Sequence, residues 1–135
     1  MKKATATRQS GFRHSVTIRQ HELTADEPAD LGGTDEGPSP LELLAASLAS
    51  CVAITTEMYA TRKGWDVGTL EVECSFTPAE RGSPTKFDTV LRLPDHLSDE
   101  QVERLRVIAA KCPVHRTLEG EAMFDERVER VTLAG

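Results

Sequence analysis

The longest patterned stretch of the chain begins at Gly37 and Pro38 and runs into an apolar, alanine-rich segment. Leu44, Leu48 and Cys51 recur there at helical spacing, with Leu41, Ala45 and Val52 beside them. This pattern predicts one long helix from Pro40 to about Arg62. Ser39 suits its cap, Pro40 its first position, and Glu42 stands where a capping box wants its acid. Gly64 supplies the stop, and Arg62 and Lys63 match the helix dipole just before it.

Other periods flank this helix. Ala4 to Thr7 read as a short strand leading to a turn at Gln9, Ser10 and Gly11. His14 to Ile18 alternate like a half-buried strand, and Gln20 to Thr24 read as a third strand or a continuation of the second. Between Asp26 and Pro38 the chain is rich in glycine, proline and acids, which predicts a loop with no packing face. Long loops of this kind inside compact domains are often functional. Beyond the helix, Val67 to Phe76 put Val72, Cys74 and Phe76 on one face of a strand. A turn from Pro78 to Pro84 leads to its partner, Phe87 to Leu93. Ser98 and Gln101 repeat the capping box ahead of an apolar stripe of Val102, Leu105, Ile108, Ala109 and Cys112. Pro113 breaks or restarts the helix there, leaving Val114 to Leu118 as a short separate piece that Gly120 ends. Met123 to Phe124 and Val128 to Leu133 read as one or two closing strands. Strands, long helix, hairpin, helix pair and strand make an α+β fold, with antiparallel sheets packed on a long central helix and a C-terminal helix pair.

Length narrows this to a single domain over residues 1–135. The formal net charge of -6, with no basic run, argues against nucleic acid and against an anionic membrane surface as partners. No apolar core follows the basic N-terminus as in a secretory signal, and the apolar run from Leu41 to Ile54 is short and broken for a bilayer span. Three cysteines at wide spacing do not form a disulfide framework. The expectation is a soluble cytoplasmic protein whose thiols start out reduced.

Candidate chemistry centres on the thiols. Cys51 and Cys112 each lie on the apolar face of a predicted helix, which suits packing as well as reactivity. Cys112 stands at the N-terminal boundary of the helix that Pro113 opens, where free amides would favour a thiolate, and His115 and Arg116 follow within a turn. Cys74 reads as plain core. Glu42 has two readings, the acid of the cap or a hydrogen-bonding acid that reaches toward a pocket. Neither a CxxC nor an HxxxH pair is present, so no metal site is predicted, and there is no GxSxG, P-loop or dinucleotide fingerprint.

The segment Gly37–Cys51 together with Cys112-Pro113-Val114-His115-Arg116-Thr117-Leu118 closely resembles the OsmC/Ohr-like family, as does Leu23-Thr24-Ala25-Asp26-Glu27-Pro28 followed by Gly32-Gly33. The resemblance implies an intertwined α+β homodimer with each site at the subunit interface. It implies a thiol-dependent peroxidase, active in oxidative stress defence, that reduces organic hydroperoxides. Cys51 would become a sulfenic acid, Cys112 would resolve it as a disulfide, and a dithiol reductant would restore the pair, with no metal or organic cofactor. In the best characterised peroxidases of the family, a Glu ten residues before the first cysteine orients an active-site Arg. Here that position is Leu41, and Glu42 is the adjacent acid. The sequence looks closer to the broader OsmC-like branch. Arg8, Arg13 and Arg19 all lie in the N-terminal hairpin as candidate arginines, with Arg13 favoured. The alternatives are a non-enzymatic dimer that binds a small apolar ligand, and a thiol redox sensor.

Overall fold

The computed structural model describes residues 2–132. Three strands come first: β1 (Thr5–Ser10), β2 (Arg13–Ile18) and β3 (His21–Ala25), paired in the order β1-β2-β3. Both pairings are antiparallel, and Val16 faces Ala6 on one side and Leu23 on the other. Directly paired residues share a face, so these three form an apolar row across the sheet. The loop that follows contains a single 3-10 turn, Ala29–Leu31.

The long helix α1 spans Pro40–Lys63, 24 residues, within a residue of the boundaries predicted from its caps. Ser39 caps it and Glu42 closes the capping box, while Gly64 ends it in the left-handed conformation with φ 73°. Its buried side is Leu48, Val52, Thr56 and Ala60, a strict i, i+4 row. Thr56 can be buried there because its hydroxyl donates to the Val52 carbonyl at 2.8 Å. The apolar run is longer than the sequence reading allowed: an 18-residue window of α1 reaches a mean hydropathy of 1.4. Length and composition alone would let such a helix cross a bilayer. Here its inner row packs against the second sheet and the other two helices.

That second sheet is an antiparallel hairpin of β4 (Glu71–Thr77) and β5 (Lys86–Arg92). Val72, Cys74 and Phe76 pair with Leu91, Thr89 and Phe87, which gives one face toward α1 and a polar face outside. The strand begins at Glu71 rather than Val67, because Val67 leaves the ladder to enter the core beside Ala60, Leu97 and Leu105. Helix α2 (Asp99–Ala109) starts at a Ser98–Gln101 capping box, as predicted. After Lys111, Pro113 opens α3 (Pro113–Glu119). Two adjoining clusters make up the core: Leu48, Val52, Ala109 and Cys112 around the thiols, and Ala60, Val67, Leu97 and Leu105 at the far end of α1.

One expectation fails. Residues 120–132 contain no strand, although Met123 to Phe124 and Val128 to Leu133 have strand composition; Leu133 lies outside the described residues. Among the described residues this segment has no pairing partner, and a strand needs a neighbour for its amides and a surface for its apolar face. Met123 and Val128 are each 93% exposed.

Candidate functional site

Two cysteines distant in sequence meet at the first turn of α3. Cys112 is its N-cap, and its sulfur accepts from the His115 amide at 3.3 Å. Cys51, from the middle of α1, accepts from the adjacent Val114 amide at 3.5 Å. The sequence produces this arrangement locally. Pro113 has no N–H to give and fixes φ for the first helical position, so the next two amides, Val114 and His115, are the free donors. Both thiols are free, Cys51 half-buried and Cys112 at 0% exposure.

The electrostatics of Cys112 correct an expectation. The helix terminus suggested a stabilised thiolate, but its pKa is raised from the ordinary 9.0. Burial is the largest cause; the His115 amide works against it, and the nearby Cys51 sulfur reinforces the rise. Cys112 is therefore held as a thiol at neutral pH. Cys74 packs against the same cluster from β4, with its sulfur near the Ser75 carbonyl at 3.8 Å.

His115 turns its ring down α3 to Glu119 at 2.5 Å. Both line an open groove of about 650 Å³ between β5 and α3, with Leu44, Leu48, Phe87 and Leu118 as its apolar walls. Neither Cys51 nor Cys112 is among its lining residues.

The remaining sequence candidates lie elsewhere. Glu42 is engaged in the cap, its Oε1 accepting from the Ser39 amide at 2.9 Å while its own amide donates to Ser39 Oγ at 3.2 Å. Those hydrogen bonds from Ser39 lower its carboxyl pKa from 4.5 against a small effect of burial. Arg8 donates from Nε to the Gly11 carbonyl at 3.0 Å, closing the β1–β2 turn, and Arg19 reaches Gln20 at 3.4 Å. Arg13 donates from Nη1 to Glu36 Oε1 at 2.8 Å. Its Nε is buried without a hydrogen-bond partner among the described residues. No hydrogen bond among the described residues joins Arg13 or Glu42 to either sulfur.

Sequence reasoning missed Glu36 and the residues that hold it. The loop carries several acids, and nothing in their spacing separates the one that faces an arginine. Asp26 was the better signal, because an Asp at the junction of a strand and a loop can tie the loop's own amides. The structure makes it so. Asp26 is 2% exposed and accepts from the Glu27 amide at 2.7 Å, the Thr34 hydroxyl at 2.9 Å and the Glu36 amide at 3.1 Å.

A long core helix, two antiparallel sheets and a pair of thiols gathered at one helix start define a two-cysteine α+β protein. A family model described as OsmC-like protein matches residues 33–127, and the chain belongs to that family. Its fold is similar to that of a Psychrobacter arcticus protein named for osmotic stress induction and detoxification response, at 27% identity and a TM-score of 0.75, covering 87% of this chain and 88% of that one. An OsmC-like protein of Mycoplasma pneumoniae superposes with a TM-score of 0.71 at 21% identity, covering 89% and 88%. An organic hydroperoxide resistance protein of Bacillus subtilis shares the fold at a TM-score of 0.61 and 23% identity, covering 89% and 91%. No match was found among the curated proteins.

Proposed function

We propose that this protein is a cytoplasmic thiol peroxidase that reduces organic hydroperoxides in oxidative stress defence. The observation that carries the reading is the convergence of Cys51 and Cys112 on adjacent amides of α3. The names of fold relatives, organic hydroperoxide resistance proteins of Legionella pneumophila and Bacillus subtilis among them, point the same way.

In this reading Cys51 attacks one peroxide oxygen as thiolate. The O–O bond breaks, the alkoxide leaves and takes a proton to become an alcohol, and Cys51 becomes a sulfenic acid. Cys112 then attacks the Cys51 sulfur, its proton leaving with the sulfenic hydroxyl as water, and a disulfide forms. An external dithiol reduces that disulfide with two electrons and restores both thiols. No metal or organic cofactor enters. Burial of Cys112 suits the resolving role, because a thiol kept protonated does not compete with Cys51 for peroxide.

Arg13 is the guanidinium we assign to the peroxide oxygens, with Glu36 rather than Glu42 as its carboxylate. Its buried, unpaired Nε supports that assignment, since a buried donor without an acceptor costs about 1–3 kcal/mol. Glu42 enters the reading as the residue that fixes where α1 begins.

The working unit is a homodimer. The chain exposes 10868 Å², against roughly 7,000 Å² expected of a compact monomer of this length. A second copy that covers part of this excess would bring the exposed surface toward the compact value. Ile54 and Met58 on the outer side of α1, and the 120–132 segment, are apolar surface that a second copy would take up. The segment would then gain the strand partner it lacks.

The test is direct. Reduced protein mixed with cumene hydroperoxide should lose two thiols and yield a Cys51–Cys112 disulfide by peptide mapping, and a dithiol should sustain turnover. Unchanged thiols in excess peroxide overturn the reading. The groove beside His115 favours one alternative, a dimer that binds a small apolar ligand. Ligand binding retained in Cys51→Ser, with no peroxide turnover in the wild type, would select it.

A further inference from the structure

Asp26 is a buried carboxylate that neither thiol uses. Taking a charge out of water is expensive unless hydrogen bonds replace the lost hydration. Here they come from one loop: the Glu27 amide, the Thr34 hydroxyl and the Glu36 amide all donate to its two oxygens. Backbone bonds from Asp26 N to the Pro38 carbonyl and from Asp35 N to the Glu27 carbonyl, both 3.1 Å, close the loop around it. The packing is tight enough that a Cβ on Gly37 would stand 2.5 Å from the Thr24 carbonyl oxygen, and one on Gly33 would run into the Glu27 carbonyl.

What this loop presents is Glu36. Its amide is held by Asp26, its Oε2 lies 2.8 Å from the Thr34 hydroxyl, and its Oε1 receives Arg13. The Thr34 hydroxyl is also 2.9 Å from Asp26 Oδ2, and one hydroxyl carries one proton. Asp26 and Glu36 therefore share a single donor. When Thr34 donates to Asp26, the Arg13 guanidinium is the side-chain donor left to the Glu36 carboxylate.

From this we infer that Asp26 is a positioning residue for the thiol chemistry, acting through Thr34 and Glu36 on the Arg13 guanidinium. It touches neither peroxide nor sulfur. The inference rests on the role given to Arg13 above and adds the residues that aim it. Asp26→Asn keeps the shape but replaces one acceptor oxygen with an NH2, which must face an amide donor already there. The loop would then release Glu36, and Arg13 would lose its fixed direction.

The experiment is a double-mutant cycle on the rate at which cumene hydroperoxide oxidises Cys51 in the full-length protein. The variants are Asp26→Asn, Arg13→Ala and both together. Arg13→Ala should slow oxidation, and Asp26→Asn alone should slow it about tenfold while adding less than about twofold in the Arg13→Ala background. Thr34→Ala, at an exposed position that buries no charge, should follow the same pattern with a smaller effect, and carries the test if Asp26→Asn does not fold. Equal slowing by these loop changes in both backgrounds would overturn the inference, since a purely structural role predicts that. So would full-rate oxidation in Asp26→Asn. Full-rate oxidation in Arg13→Ala is a different result, and it removes Arg13 from the reaction altogether.

Discussion

The inner side of α1 and the rest of the chain solve the burial problem differently. Along Leu48, Val52, Thr56 and Ala60 the helix finds β4, β5, α2 and α3, and the core closes within one chain. Among the described residues the N-terminal sheet packs on no helix to that extent, and the outer side of α1 and the segment after α3 keep large apolar side chains in solvent. The same hydrophobic pattern means core in the first region and exposed apolar surface in the second. The thiols sit in the closed region, the arginine in the open one. In the proposed homodimer, the open region is the part that a second copy would cover.

The largest effect expected from breaking this contrast is on assembly. Ile54→Asp places a charge on the outer side of α1, where Ile54 is 54% exposed, so it should leave the monomer folded and prevent dimerisation. Sedimentation should find the variant monomeric where the wild type is dimeric, with helical circular dichroism kept. A wild type that is monomeric at high concentration would dissolve the contrast, because the open region would then need no partner. Next in size is the closed region itself. Leu105 is 0% exposed among Ala60, Val67 and Leu97. Leu105→Ala should cost about 2–5 kcal/mol by urea unfolding, the range for removing a buried leucine. A loss well below that would mean this cluster is not the main core.

The contrast also explains what sequence could and could not say. Helix α1 was legible to within a residue because its ends carry chemical signals: Ser39 and Glu42 at one, Gly64 at the other. The Cys51 and Cys112 pairing followed from resemblance, not from periodicity, since two cysteines on apolar faces look the same whether they meet or not. The 120–132 segment misled because strand composition records a demand for a partner, not its presence in the same chain. Glu36 was hidden because its position is set by a loop backbone. That backbone is fixed by hydrogen bonds to Asp26 and by two close approaches at Gly33 and Gly37, none of which has a period.

The smallest effect separates the two regions by pH. In the closed region stability comes from apolar burial, so the Leu105→Ala deficit should stay the same from neutral to acid pH. The Asp26 loop is held by a carboxylate whose pKa lies below its ordinary 3.8. Burial alone would raise it, but hydrogen bonds from Glu27, Glu36 and Thr34 together outweigh that. A depressed folded pKa means that the charged form is favoured by folding. The stability it contributes is complete above the unfolded value and is lost as pH falls through the folded one. Urea midpoints of wild type and Asp26→Asn should therefore differ by a constant amount above about pH 4.5 and converge below pH 3.8. A gap that persists undiminished into that acid range would mean the loop is held by its backbone contacts and close-packed glycines. In that case the Asp26 charge would contribute nothing to its stability.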